Sequence, residues 1–430
     1  MVRLLITGAM LLLCAGALQA DRGSLPVSTE DVTVYEPGQK AVIAWDGQTE
    51  VLYLSTDIFA SSQSDVIEIL PLPSEPKIEK ADPEVLKKFE KFIQQHLRWR
   101  DKPKTEGRGE ELAEKKGIEI ISFQQIGAHS ITTLKVKDVD EFLRWMQDYL
   151  DKKQGKRGFW DTLGRTIKHY VDNGILFYAF DVITAGKDKQ TVEPLLYTFD
   201  SCALYYPLKI SSLLSGDTDI TLITVTEYDT GKMKFPRGFK RLGDSEIQIP
   251  HRELSAICRE MAQIFTTEPT SGTVIEKNLS LSVWKYNGTL QIDCDIPDIA
   301  KLSGLLQKES ELLYNEADKR FTNREYPLAF ELFRNVADRY VNFCPKITER
   351  AKKKVEEIRA NPELMAQIPV EEVEAEYIAC WWRALNYHLN SLDQNACECL
   401  KAIAQKYQQD STYHRKAQWL LTLTEKVEKK

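Results

Sequence analysis

The hydropathy period of this chain changes once, near Asp295-Ile296-Pro297-Asp298, and that change constrains the fold more than any motif. Upstream, apolar residues alternate in short runs bounded by Gly, Pro and Asp, as strands joined by tight turns do. Downstream, from Leu302 to Lys430, they recur every three or four positions, as in amphipathic helices. Two parts are therefore expected. Residues 21–300 should form an α+β part with mainly antiparallel sheet, divisible near 230–250, and residues 301–430 an all-α part. Helices and strands interleave without a regular β-α-β rhythm, which argues against a doubly wound parallel sheet.

In the first part, residues 40–45 (KAVIAW) and 50–56 (EVLYLST) read as strands joined by a hairpin turn at Asp46-Gly47. Residues 65–70 read as a third, and Pro71, Pro73 and Pro76 should end the sheet edge because proline gives no ladder donor. Helices are expected over 83–97 with Asp82 as N-cap, over 138–149, over 159–173 with a stop at Gly174, and over 252–265. The apolar run 175–183 (ILFYAFDVI) reads as a strand buried on both faces. Further strands are expected at 118–124, 130–136, 193–199, 205–210, 219–226, 273–285 and 289–293. The charged stretch 102–116 reads as a mobile surface excursion.

The helical part carries an internal repeat. Ala317, Ala329, Phe333, Val336, Ala337 and Tyr340 align with Ala384, Ala396, Leu400, Ile403, Ala404 and Tyr407 at one offset of 67 residues. Small residues let two antiparallel helices approach, and the apolar stripe fills the groove between them. A third helix is expected after each pair, at 347–358 and 413–427. The pattern resembles tetratricopeptide-type hairpins, with Tyr326 on an aromatic position of that motif. The second copy departs from it, with Asp393 in the place of Tyr326 and an inserted Trp381-Trp382. Such units present a concave groove to a peptide or protein. Tyr326, Trp381, Trp382 and Tyr387 are the candidate partner-binding residues. Trp381 and Trp382 lie about 100° apart on a helix, so one should be exposed.

Residues 1–20 have the layout of a secretory signal peptide. Arg3 is followed by an apolar run to Leu13 and small residues near Ala20, a stretch too short to span a bilayer comfortably. Export to the periplasm, cell surface or exterior is expected. A lipid anchor on Cys14 is disfavoured, because Leu13 stands where a small residue is needed. The rest of the chain holds no apolar run of about 18 residues, so the mature chain should not span a membrane. A net charge of −7 leaves no electrostatic footprint for nucleic acid. The remaining cysteines (Cys202, Cys258, Cys294, Cys344, Cys380, Cys397, Cys399) are odd in number and dispersed, so they form no disulfide framework that could fold the chain.

Residues 38–76, and after them 138–149, 170–183, 192–199 and 206–224, are similar to a family of exported bacterial and archaeal proteins of unknown function. The likeness covers most of residues 31–230. It implies an exported α+β domain and assigns no catalytic residue.

Chemistry-bearing motifs are few. Asp200-Ser201-Cys202 offers a thiol and a hydroxyl, but a nucleophile needs a base within hydrogen-bond reach, and His96, His129, His169 and His251 are scattered. Cys397 and Cys399 point about 200° apart on a helix and make a poor metal pair. Trp45-Asp46-Gly47 and the segment 71–76 read as turn and exit. Tyr197, Phe199, Tyr205 and Tyr206 would form a sugar- or peptide-binding platform only on an open sheet face. No motif implies a cofactor or a metal. The expected function is a non-enzymatic, exported interaction or scaffold protein that binds an envelope or extracellular protein or peptide through its helical repeats. The alternative is an extracytoplasmic hydrolase or sugar-binding module acting on envelope polymers.

Overall fold

The computed structural model describes residues 25–26, 34–97, 118–149, 157–187, 190–213, 217–227, 229–230, 233, 235–265, 278–289 and 292–368, with scattered positions between 400 and 421. The signal-like segment with Cys14, the stretch 102–116, Cys380, Cys397, Cys399, Trp381, Trp382, Tyr387 and nearly all of the second repeat copy lie outside the described residues.

Strands β1 (Leu25–Pro26), β2 (Val34–Trp45), β3 (Thr49–Ala60), β4 (Ser64–Leu72) and β5 (Lys77–Lys80) precede helix α1 (Glu84–Leu97). Strands β6 (Ile118–Ile126) and β7 (His129–Val136) and helices α2 (Val139–Tyr149) and α3 (Arg157–Asp172) follow. Next come β8 (Phe177–Ala185), β9 (Gln190–Thr191), β10 (Leu195–Asp200), a 3-10 turn (Lys209–Leu213), β11 (Asp217–Thr226) and β12 (Lys240–Pro250). Helices α4 (His251–Ile257) and α5 (Arg259–Gln263) and strand β13 (Asn278–Thr289) complete the sheet-rich part. Helices α6 (Ile299–Thr322), α7 (Tyr326–Arg339), α8 (Pro345–Arg359) and α9 (Pro362–Met365) follow.

The strands form two sheets. One runs β1-β4-β8-β7-β6, and the other β12-β13-β11-β2-β3-β10-β5 with β9 beside β3. Every pairing is antiparallel except β11 with β2. Strands β2 and β3 are apolar on both faces, which explains their unbroken hydrophobic run. Ala41, Ile43, Leu52 and Leu54 enter a core shared with Ile67, Leu134 and Phe180 of the five-stranded sheet and with Phe142, Leu163 and Ile167 of α2 and α3. Val42, Ala44, Val51 and Tyr53 enter a second core with Phe89 of α1 and with Leu254 and Met261 of α4 and α5.

The expected turns and caps form. Gly47 adopts φ 104°, which only glycine takes without strain. The Asp46 carboxylate accepts from the amides of Gln48 and Thr49, both at 2.8 Å, and closes the hairpin. Asp82 accepts from Glu84 N at 2.9 Å and opens α1.

Four expectations are corrected. Residues 205–210 form no strand: Pro207 lacks the ladder donor, so pairing shrinks to one bridge between Tyr206 and Ile296, followed by the 3-10 turn. The helix expected over 252–265 breaks at Cys258, which takes extended backbone (φ −147°, ψ 109°) and divides α4 from α5. Strand β13 runs through Asn287-Gly288 to Thr289, held by its ladder with β11, where a break was expected. Pro71 sits within β4 opposite Tyr178, so the strand continues where an edge was expected to end. Strand β5 resumes after Pro76.

Asp298 caps α6, accepting from Ala300 N at 3.1 Å and Lys301 N at 3.2 Å. Ala317 of α6 and Ala329 of α7 are fully buried, and Phe333, Val336, Ala337 and Tyr340 join them in one core with Ile347, Ala351 and Val355 of α8. This core also takes in Ala203 and Cys202 from the sheet-rich part, and Phe343 touches both it and the main sheet core. The two parts are therefore joined by packing as well as by the chain.

Candidate functional site

Four chain segments meet where the helices join the sheets, around a cleft of about 340 Å³. The β2–β3 hairpin contributes Gly47 and Gln48, the β4–β5 link Pro73 and Ser74, and the end of β10 Asp200, Ser201 and Cys202. The helical wall is Asp338, near the end of α7, with Val341, Asn342 and Phe343 from the α7–α8 connection.

Hydrogen bonds between these segments fix the walls. Ser201 N donates to the Gln48 carbonyl at 2.8 Å, and Ser74 Oγ donates to the Asp200 carbonyl at 2.8 Å. Asn342 Nδ2 donates to the Pro73 carbonyl at 3.3 Å, and Trp45 Nε1 donates to the Ser201 carbonyl at 3.1 Å. The sequence suits this locally. Turns and strand ends place polar groups at one edge of the large sheet, and Trp45 behind them is buried.

Two carboxylates, Asp200 and Asp338, are exposed in the cleft, and the described residues that line it include no Lys, Arg or His. Neither carboxylate makes an ion pair with a described residue. Val341, 43% exposed, gives the opening an apolar lip. Cys202 brings a partly exposed thiol to the wall.

The described histidines all lie elsewhere. His129 sits between Asp181 and the Glu193 carbonyl, His251 meets the Ala262 carbonyl and His96 the Phe92 carbonyl. His169 is on α3, its protonated form disfavoured first by burial and then by Lys209. The Ser74 and Ser201 hydroxyls donate to the carbonyls of Asp200 and Ala203. The cleft thus lines up acceptors and apolar surface, and among the described residues no imidazole lies there to activate the thiol or the hydroxyls. Among the described residues no group of three His, Cys, Asp or Glu side chains could hold a metal.

Glu50 and Asp295 are buried carboxyls of the core. Glu50, cross-strand from Phe199, accepts from Tyr205 N at 2.7 Å, and burial pushes it well above the usual carboxylate range. Asp295 accepts from Tyr170 Oη at 2.9 Å and Lys209 N at 2.7 Å, and burial pushes it up to about 7. Tyr170 and Tyr205 are pushed up as well, first by burial and then by the charge of Asp295.

Of the residues singled out from sequence, Tyr326 opens α7, partly buried, with its ring edge-on to Phe321 at 5.3 Å. Tyr197, Phe199, Tyr205 and Tyr206 are all 2% exposed or less. They fill the core, so no open aromatic platform forms from them. The segments around Asp46-Gly47, 71–76 and 200–202, read separately as turns and exits, converge on the cleft. No spacing in the sequence signals that convergence, and Asp338, Asn342 and Phe343 carry no motif.

A model of the family described as "Uncharacterized protein conserved in bacteria (DUF2330)" matches residues 17–235. The chain belongs to that family. The DUF2330 match spans β1 to β11 and three of the four cleft segments, and it ends before the helices that supply the fourth. The curated proteins compared with the chain give no match.

Among solved structures, a mutated baculovirus P35 after caspase cleavage, at 2.7 Å resolution, is 11% identical with a TM-score of 0.31, covering 60% of this chain and 97% of that one. A second such P35 structure gives 10% and 0.27, covering 59% and 94%. A chain of the caspase-8/P35 complex gives 10% and 0.28, covering 63% and 97%. Likenesses this low carry no argument about this DUF2330 protein. Among its described residues no helix is long and apolar enough to cross a membrane.

Proposed function

We propose that this DUF2330 protein is an exported, non-enzymatic interaction protein that holds an envelope or extracellular protein or peptide where its helical region meets the sheets. The observation that carries the reading is the cleft: an open site with firmly held walls and an apolar lip, and with no activating imidazole among the described residues. The helices α6 to α8 support it. Ala317, Ala329 and Ala337 lie buried in one core there, which is compatible with the proposed tetratricopeptide-like hairpin, and such hairpins serve as peptide grooves. Tyr326, Trp381, Trp382 and Tyr387 are the proposed helical contacts. The signal-like N-terminus supports export.

Capture from isolated native envelope tests the reading, with the purified full chain as bait beside its Tyr326→Ala/Trp382→Ala form. The expected result is a discrete partner recovered by the wild type and reduced at least fivefold by the double variant, with unchanged circular dichroism. Equal recovery by both forms would remove the helical contacts from the proposal. Finding the protein wholly in the cytoplasmic fraction would remove export.

A further inference from the structure

We infer that the cleft is a recognition pocket for a basic side chain, a lysine or arginine presented by an extended peptide; this rests on the interaction reading above. Its lining has two exposed carboxylates, Asp200 and Asp338, and among the described residues that line it none is basic. Charged side chains held in one cleft without a countercharge favour a cation from outside, and the low-dielectric walls strengthen that preference.

The neighbouring polar groups fit the same occupant. Gln48 brings an exposed side-chain amide to the lining, suited to hydrogen bonding a peptide backbone. Pro73, Val341 and Phe343 supply apolar surface along which the methylenes of a lysine or arginine can lie. The volume of about 340 Å³ is at the small end of ligand sites, which run from about 300 to 1,000 Å³. It suits one long side chain with its flanking backbone. A bare cation would leave the apolar surface and most of that space unused.

The walls are set before any ligand arrives. The carbonyls of Gln48, Pro73 and Asp200 are each held by a donor from another cleft segment. Binding should therefore need little ordering of the protein. The two carboxylates also come from different parts of the molecule, Asp200 from the end of β10 and Asp338 from α7. Recognition then depends on the sheets and helices staying docked.

The test uses the full-length protein immobilised against a positional-scanning hexapeptide library, one residue fixed and five randomised. The expected result is enrichment of lysine and arginine over norleucine and glutamine at one position, by tenfold or more. Capture of those peptides should weaken when sodium chloride is raised from 50 to 500 mM. Asp200→Asn and Asp338→Asn should each cut the enrichment at least fivefold, while Asp219→Asn, on β11 away from the cleft, should leave it intact.

Enrichment of apolar or acidic residues instead would overturn the basic-side-chain inference and leave the interaction reading standing. So would basic enrichment that both cleft variants retain. No enrichment at any position would overturn the inference, and the envelope capture would then decide the broader reading. A calorimetric titration with calcium chloride alone checks the remaining cation class. Binding of calcium that Asp200→Asn abolishes would overturn the peptide as occupant.

Discussion

The hydroxyl of Tyr170 donates to the carboxyl of Asp295 at 2.9 Å, and this bond ties helix α3 to the segment that leads into α6. The same hydroxyl accepts from Ile210 N at 3.0 Å, and Lys209 N reaches the same carboxyl oxygen. The junction between sheets and helices is thus built around a buried acid, with Tyr205, Lys209 and Cys294 as its other titratable neighbours.

Asp295 should make stability depend on pH. Its carboxyl is pushed up to about 7 in the folded chain, against about 3.9 when unfolded. The folded state therefore keeps a proton between these values that the unfolded state has released. The stabilisation is complete below about pH 4 and is lost as pH rises through about 7. Asp295→Asn, which keeps an acceptor and removes the charge, should raise the melting temperature at pH 8 by about 2–8 °C. The gain should vanish at pH 4, and calorimetry at the two pH values reads it. Equal gains at both would show that the carboxyl is not the titrating group.

Gly174 should be intolerant of a side chain. It has φ +83°, and an added Cβ would meet the Asn342 carbonyl and the Phe343 ring, each at 2.8 Å. Gly174→Ala is expected to destabilise by about 1–3 kcal/mol through backbone strain, and to disturb the α7–α8 wall of the cleft. Urea denaturation measures the first effect and peptide capture the second.

The His129–Asp181 pair should matter far more than the surface ion pairs. Both side chains are 2% exposed and lie 2.5 Å apart. His129→Ala should cost about 3–5 kcal/mol, as removal of one partner from a buried pair does. Lys77→Ala breaks the exposed pair with Glu79 and should change stability by less than about 1 kcal/mol. Chemical denaturation of both variants, side by side, checks the contrast.

Cys202 should report on occupancy without taking part in binding chemistry. It lines the cleft and is partly exposed. A maleimide bearing a large group should block peptide capture by at least tenfold, while Cys202→Ser should leave capture within twofold. If Cys202→Ser abolished capture, the thiol itself would be required, and a covalent reading would replace the present one.

Much of the fold was legible because its signals are local. Asp46-Gly47, Asp82 and Gly174 each specify a turn, cap or stop through their own backbone, and each forms as read. The long amphipathic helices followed from their period. The failures share a cause in tertiary context. Ladder partners carry β13 through Asn287-Gly288, and the core draws Cys258 into extended backbone between α4 and α5. The cleft was hidden for the same reason. Asp200 and Asp338 are 138 positions apart in the sequence, and only the docking of the α7–α8 turn against the hairpin brings them to one site.

The most direct test places a photo-crosslinking residue at Val341, on the lip of the cleft, and another at Lys353, on the exposed face of α8, in the full-length protein in its native cells. The account predicts a discrete protein adduct from position 341 that falls at least fivefold in an Asp200→Asn background, with little from position 353. Adducts of equal yield from both positions, or an adduct at 341 unmoved by Asp200→Asn, would contradict it.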